Sequence, residues 1–271
     1  MATPRVRLIE ILSRRFPDRP VRELEALIIR GLVRVDGAPA RSPGARVHPD
    51  ADLEVPPPAR WVSRGGEKLA AAFTAWDFDV NGRVILDAGS STGGFTDCLL
   101  QHGAALVHCV DVGRGQLAWK LRTDARVRVH EGVNVMDLGP GDLDPRPDRA
   151  VADLSFRSLR GAARTILRLT REGLGIFLAK PQFEWRDHPE DFHGVVVDPV
   201  ALDGILRGLV ADLWDAGMFT RRMTASPIKG RKGNREFLLL VADRPCGSRA
   251  AADAAVTACL GSLEGGVSPE R

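Results

Sequence analysis

The sequence predicts an α/β protein: a doubly wound, mostly parallel sheet preceded by a small α+β domain. Three observations carry that reading. Short apolar runs alternate with helical stretches between about residues 62 and 242, Pro56-Pro57-Pro58 makes a stiff break ahead of them, and the segment before the break is basic.

Taken in chain order, residues 1–55 begin with apolar positions Leu8, Ile11 and Leu12, then Leu24, Leu27 and Ile28, at helical spacing. Gly31 follows as a C-cap, and Leu32-Val33-Arg34-Val35-Asp36-Gly37 reads as a strand entering an Asp-Gly turn. Residues 56–62 are the linker. Within 63–243, strands are predicted over 84–87, 106–111, 127–130, 149–153, 175–179 and 237–241, with helices between them, among others over 95–102 and 202–216. Residues 244–271, rich in Ala, Gly, Ser, Pro and charge, are expected to form a mobile tail with at most a short helix near 250–260.

Composition narrows the function classes. Of 271 residues, 44% are hydrophobic and 27% charged, as in ordinary folded soluble proteins. No apolar run approaches the roughly 18 residues of a membrane span, and Met1 to Glu10 lack the apolar block of a signal peptide. A cytoplasmic protein is therefore expected. Cys98, Cys109, Cys246 and Cys259 form no Cys-x-x-Cys pair and no zinc-finger spacing, so reduced apolar thiols and no metal site are expected. Residues 1–60 hold 11 Arg and no Lys against 8 acids, whereas the remainder is neutral with 27 of each sign. That imbalance points the small domain toward an anionic partner.

The first strand of the sheet runs into Asp87-Ala88-Gly89-Ser90-Ser91-Thr92-Gly93-Gly94-Phe95. Glycines at a strand-to-helix turn admit close approach of a nucleotide-like ligand. The spacing fits neither Gly-x-Gly-x-x-Gly nor a phosphate-cradling P-loop. An acid before the turn disfavours a pyrophosphate and suits a cofactor with cationic groups. Asp111 ends the second strand, placed for ribose hydroxyls, and Asn134 and Asp137 follow the third, placed for an adenine. Three acids after three successive strands point to S-adenosylmethionine.

Arg outnumbers Lys 33 to 5, so each lysine stands where a guanidinium will not serve. Lys180 directly follows the strand over 175–179, Asp153 ends the preceding strand, Glu236 opens the last, and Lys68 starts the helix leading into the domain. Strand ends at the carboxyl edge are where ligands bind in such sheets. Two lysines flanked by two carboxylates suit removal of a hydroxyl proton, because neighbouring charges set the basicity of an amine.

The segments Trp61-Val62-Ser63-Arg64-Gly65-Gly66-Glu67-Lys68-Leu69, Ser91-Thr92-Gly93-Gly94-Phe95-Thr96, Gly115-Gln116-Leu117-Ala118-Trp119-Lys120, Lys180-Pro181-Gln182-Phe183-Glu184 and Gly233-Asn234-Arg235-Glu236-Phe237 resemble the TlyA (haemolysin A) family. The resemblance extends from about residue 5 to about residue 242. It implies a Rossmann-like class I methyltransferase domain similar to FtsJ, with a Lys-Asp-Lys-Glu tetrad at Lys68, Asp153, Lys180 and Glu236. It also implies methylation of cytidine 2′-hydroxyls in ribosomal RNA, small-subunit and in some members large-subunit, with ribosomal RNA or ribosomal subunits as partners. The N-terminal segment resembles the S-four-type RNA-binding domain, so that Arg5, Arg7, Arg14, Arg15, Arg22, Arg30, Arg34 and Arg64, with Lys229, Arg231 and Lys232, are expected to bind RNA. Departures from the family pattern fall at Phe16 to Val21, Arg114, Arg157 and the stretch 185–197. Two other readings stand beside this one: a non-catalytic RNA-binding assembly factor, and a pore-forming haemolysin, which the lack of a spanning helix or amphipathic strand repeat disfavours.

Overall fold

The computed structural model describes residues 4–264. They divide into two compact units, one reaching Arg60 and the other starting at Trp61.

The first unit contains β1 (Val6–Arg7), α1 (Leu8–Arg15), α2 (Val21–Ile29), β2 (Val33–Val35), β3 (Ala38–Ala40), β4 (Arg46–Val47) and β5 (Leu53–Glu54). β1 pairs with β4, and β2 lies between β3 and β5, all antiparallel. The residues at helical spacing in the sequence form the core: Leu8, Leu12, Leu24, Ile28 and Val33 are fully buried together. Gly31 closes α2 at φ +69°, where the Leu32 amide reaches the Leu27 carbonyl in a Schellman arrangement. Asp36 and Gly37 both have positive φ and turn β2 into β3, as a two-residue hairpin of the primed type requires.

The second unit runs α3 (Gly65–Ala75), β6 (Val84–Ala88), α4 (Gly94–Gln101), β7 (Leu106–Asp111), α5 (Trp119–Arg122), β8 (Val127–Glu131), β9 (Arg149–Ala152), α6 (Leu159–Arg168), β10 (Leu174–Ala179), α7 (Pro181–Glu184), α8 (Pro199–Asp215), β11 (Phe219–Ala225), β12 (Phe237–Ala242) and α9 (Arg249–Glu264). The seven strands lie in the order β11-β12-β10-β9-β6-β7-β8. From β10 to β8 all pairings are parallel, and β12 is antiparallel to both β10 and β11. The expected doubly wound, Rossmann-like sheet is present, with each face covered by its own core. On one face Leu86, Ala88 and Phe177 meet α6, α8 and α9; on the other Ile85, Ile176 and Leu178 meet α3, α4 and α5. Alternate strand residues feed opposite cores, so every strand reads as a continuous apolar run.

Two elements differ from the sequence reading. β11 was not expected, because Phe219-Thr220-Arg221-Arg222-Met223-Thr224-Ala225 puts two exposed arginines in its middle. It is an edge strand with an irregularity between Thr220 and Arg222, the place where sheets tolerate charge. The tail expected from residue 244 instead holds α9, whose Ala252, Val256 and Cys259 enter the core beside α8 and β11. Small residues at helical spacing gave that face little apolar signal. Residues 265–271 of the expected tail lie outside the described residues. Among the described residues no helix is long and apolar enough to cross a membrane, and no cluster of three metal-ligating side chains occurs. None of the four cysteines is in a disulfide.

The docking of α9 is open to a direct test. Val256 is fully buried, so Val256→Asp places an unpaired charge in the core and is expected to cost about 3 kcal/mol or more. Urea unfolding of variant and wild type measures that loss; an unchanged midpoint would mean that α9 contributes nothing to the fold.

Candidate active site

The loop between β6 and α4 begins where parallel strands leave their ligand edge. Gly89 (φ +82°) and Gly93 (φ +94°) hold backbone conformations that side chains resist, and both sit against other parts of the domain. A Cβ on Gly89 would lie 2.5 Å from the Asp153 carbonyl oxygen, and one on Gly93 would lie 2.2 Å from a Leu121 methyl. Gly94 opens α4 so close to the start of α3 that a Cβ there would meet Ser63 Oγ at 2.3 Å and the Gly65 Cα at 3.0 Å. Glycine thus draws the β6 loop, the residues after β9 and the first turn of α3 into one neighbourhood.

Asp111 accepts from the Ser91 amide at 2.8 Å and the Gly113 amide at 2.7 Å, which ties the end of β7 to the loop. Ser90, Gly93, Gly94 and Phe95 are buried, Ser91 and Thr92 exposed. Asn134 caps the short turn Val135–Asp137 through the Met136 amide, and Asp137 is exposed. Asp87 is entirely buried, so it meets no ligand at the surface; burial pushes its carboxyl up to about 7. Its Oδ1 has no hydrogen-bond partner. The loop from Asp87 to Phe95 carries no cationic side chain, while Asp111 and Asp137 supply negative charge around it. This donor set fits a cationic nucleoside better than a phosphate.

The four residues of the expected tetrad come together from four elements. Lys68 stands in the first turns of α3, Asp153 just after β9, Lys180 just after β10 and Glu236 just before β12. Lys68 Nζ lies 2.5 Å from Glu236 Oε2 and 3.9 Å from Asp153 Oδ2, and Lys180 Nζ lies 2.6 Å from Asp153 Oδ1. Asp153 Oδ1 and Glu236 Oε2 have no geometrically aligned hydrogen bond, so charge contact holds the cluster rather than directional bonding. Lys180 also donates to the Leu154 carbonyl at 2.9 Å. The side chains are between 5% and 22% exposed, and two cations match two anions, as burial of charge demands.

Three supports escaped the sequence reading. Glu184, one turn after Lys180, is buried and takes the Leu159 amide, the Ser158 hydroxyl and the Arg160 guanidinium, at 2.7, 2.5 and 2.9 Å. It thereby locks the α7 turn onto the start of α6. Burial raises its carboxyl above the usual range despite those bonds. Asn234, also buried, accepts from the Val196 amide at 2.9 Å and donates to the Gly194 carbonyl at 2.7 Å, pinning that loop to the segment that carries Glu236. Gly230 leaves room for the Glu236 carboxylate, which a Cβ would approach to 2.6 Å. Glu184 and Asn234 lie inside the segments Lys-Pro-Gln-Phe-Glu and Gly-Asn-Arg-Glu, so their places were visible but their partners were not. Lys120 turns away from the cluster and pairs with Asp97 at 3.0 Å.

The expected RNA-binding residues Arg5, Arg7, Arg14, Arg15, Arg22, Arg30 and Arg34 are all exposed on the first unit, and Arg64, Lys229, Arg231 and Lys232 are exposed on the second. Some are partly engaged: Arg15 donates to the Ala51 and Pro49 carbonyls, Arg34 to that of Gly37, and Arg7 lies 3.9 Å from Glu10. Arg19, by contrast, is spent within the fold, on Glu23 and the Pro56 carbonyl.

The model of the FtsJ-like methyltransferase family matches residues 61–242, and that of the S4 domain matches residues 6–53. The chain belongs to the FtsJ-like methyltransferase family. Among its relatives is the 16S/23S rRNA (cytidine-2′-O)-methyltransferase TlyA of Mycobacterium tuberculosis, 40% identical over 87% of this chain and 89% of the relative. Hemolysin A of Brachyspira hyodysenteriae is 38% identical over 78% and 89%. A solved structure from Streptococcus thermophilus, described as a candidate hemolysin, is 31% identical with a TM-score of 0.71 over 97% of this chain and 98% of the other. The FtsJ-like family places the β6 loop and the ion cluster in a methyltransferase domain, and the S4 match gives the basic first unit a named fold.

Because Gly230 has no space for a methyl group beside Glu236, Gly230→Ala is expected to displace that carboxylate and reduce methyl transfer by about a hundredfold, with the melting temperature little changed. Gly161→Ala, where a Cβ meets nothing within 4 Å on α6, serves as the control. Equal activity in both variants would remove Glu236 from the working cluster.

Proposed function

We propose that the protein transfers the methyl group of S-adenosylmethionine to the ribose 2′-hydroxyl of cytidine in ribosomal RNA. The observation that carries this reading is the paired ion cluster of Lys68, Asp153, Lys180 and Glu236, drawn against the β6 loop through Gly89 and Asp153. The TlyA relative at 40% identity supports the nucleoside and the RNA class.

In this reading the cofactor supplies an electrophilic methyl group on a sulfonium. The loop Gly89 to Gly94 would hold it by backbone contact, Asp111 would take the ribose hydroxyls, and Asn134 and Asp137 would serve the adenine. Transfer of its methyl group to the 2′-oxygen, with the carbon–sulfur electron pair left on sulfur, would require the hydroxyl to lose its proton. Lys180, fixed by Asp153 and the Leu154 carbonyl, steers the hydroxyl or assists removal of that proton. Lys68 and Glu236 complete the charge balance and hold Asp153 and Lys180 in register. Lys229, Arg231 and Lys232, in the loop leading to Glu236, contact the RNA backbone. The arginines of the S4 unit bind the same polymer through its phosphates, and ribosomes as substrate place the protein in the cytoplasm.

Labelled methyl from S-adenosylmethionine is expected to enter the RNA of purified ribosomal subunits, and Lys180→Ala to lower that incorporation by at least about a hundredfold. Absence of label with wild type, on either subunit and on naked RNA, would transfer the reading to a non-catalytic RNA-binding factor. Replacing Arg22 and Arg30 with Ala is expected to weaken RNA binding at low salt and to flatten its dependence on salt by about two counterions. An unchanged slope in a filter-binding titration would take these two arginines out of the interface.

A further inference from the structure

Asp87 is the penultimate residue of β6, at the head of the cofactor loop, and its surroundings are poor for an anion. It has no exposure to solvent. Thr96, on α4, donates its hydroxyl to Oδ2 at 2.6 Å, and Cys109 Sγ, on β7, lies 3.0 Å from that same hydroxyl. A hydroxyl has one proton to give, no well-aligned hydrogen bond reaches Oδ1, and the Thr96 amide is the other donor that acts on the carboxyl. The charged groups that act on Asp87 from neighbouring strands are Asp153, beyond β9, and Asp111, at the end of β7, and both oppose a further negative charge. The nearby lysines are committed elsewhere, Lys180 to Asp153 and Lys68 to Glu236. Asp97, also buried on α4, is matched by the Val62 amide and Lys120, which Asp87 is not. Desolvation first, and the two acids after it, hold the carboxyl at about 7 against the Thr96 bond.

The cofactor of the proposed reaction carries one more positive charge than its product, because the sulfonium becomes a thioether. Building on the proposed function, we propose that Asp87 is protonated in the free protein, gives up its proton when the sulfonium cofactor binds at the loop it precedes, and regains one after the methyl group has left. The balance closes: the carbon–sulfur bond breaks with its electron pair kept on sulfur, the methyl carbon bonds to the ribose oxygen, and the hydroxyl proton passes to solvent, from which Asp87 is reprotonated. Asp87 would then act as a buried counter-charge that favours cofactor over product. Binding that releases a proton strengthens as pH rises, so cofactor affinity should fall by up to about tenfold per unit below about 7 and level off above it. Product affinity should change much less.

Calorimetric titration of the full chain tests this without turnover. S-adenosylmethionine and S-adenosylhomocysteine are titrated separately near pH 6.5, in phosphate and in Tris, whose ionisation heats differ. Wild type is expected to release about three-quarters of a proton per S-adenosylmethionine, the share of molecules in which a carboxyl at about 7 is still protonated, and clearly less per S-adenosylhomocysteine. Asp87→Asn, which keeps an acceptor for Thr96, is expected to release none and to discriminate less between the two ligands. Thr96→Val, which removes the hydroxyl donor and leaves the Thr96 amide, is expected to move the affinity midpoint to higher pH. It decides the matter together with the wild-type pH series if Asp87→Asn does not fold by circular dichroism. Equal heats in both buffers for wild type, release that persists in Asp87→Asn, or an unmoved midpoint in Thr96→Val would overturn the role of Asp87. Failure of S-adenosylmethionine to bind at any pH would instead overturn the cofactor assignment on which it rests.

Discussion

Four charged side chains leave water together at the carboxyl edge of the sheet, and they can do so only as a set. Lys68, Asp153, Lys180 and Glu236 carry no net charge as a group, and the closest contacts among them are 2.5 and 2.6 Å. Remove one partner and a buried charge stands uncompensated, at a cost of about 3–5 kcal/mol. Each member comes from a different element, so the requirement that they meet fixes how the starts of α3 and β12 sit against the ends of β9 and β10. Gly94 lets α3 approach α4, Gly89 lets the loop approach Asp153, and Gly230 leaves space for Glu236. Glu184 and Asn234 then secure the two segments that would otherwise drift. Asp87 stands a few residues away under the opposite condition, buried with too little to match its charge.

What the sequence made legible were features with a local cause. Alternating apolar runs located six of the seven strands of the large sheet, because strands buried on both faces need an unbroken apolar core. The site acids and lysines were legible because parallel strands deliver their carboxyl ends to one edge, so residues at 87, 111, 153 and 180 fall together once the strands are placed. β11 was hidden because an edge strand can expose Arg221 and Arg222 without penalty; a helix near 250–260 was legible, but not that α9 docks, because Ala252 and Val256 do so through a narrow stripe of small side chains. The clamps Glu184 and Asn234 act on segments 25 and 38 residues distant, and such pairings have no periodicity to betray them. The full burial of Asp87 was equally beyond reach, since a strand-end acid looks the same whether it faces the ligand or the core.

The basic first unit follows a different economy. Its core is small, five fully buried apolar residues with a fringe of partly buried ones, and some of its arginines are used to tie the chain to itself. Arg15 and Arg19 bridge to carbonyls more than thirty residues away, where a longer helix pair would have used packing. The exposed arginines that remain, Arg5, Arg14, Arg22, Arg30 and Arg41 among them, are a smaller set than the composition suggests.

The position of β12 has a bearing on how the chain reaches its native state. It is the last strand to be made, yet it lies between β10 and β11, bonded along its length to both. Until residues 237–242 are available, β11 has no neighbour in the sheet, and its bonding edge and that of β10 stand open. Closure therefore waits for the final strand, a long-range pairing of the kind that slows folding. Glu236 arrives with that same strand, so the ion cluster cannot be completed in a partly made chain. A nascent protein that could already fold β6 to β10 would present the cofactor loop without its fourth charge, and competence would arise in a single late step rather than by degrees.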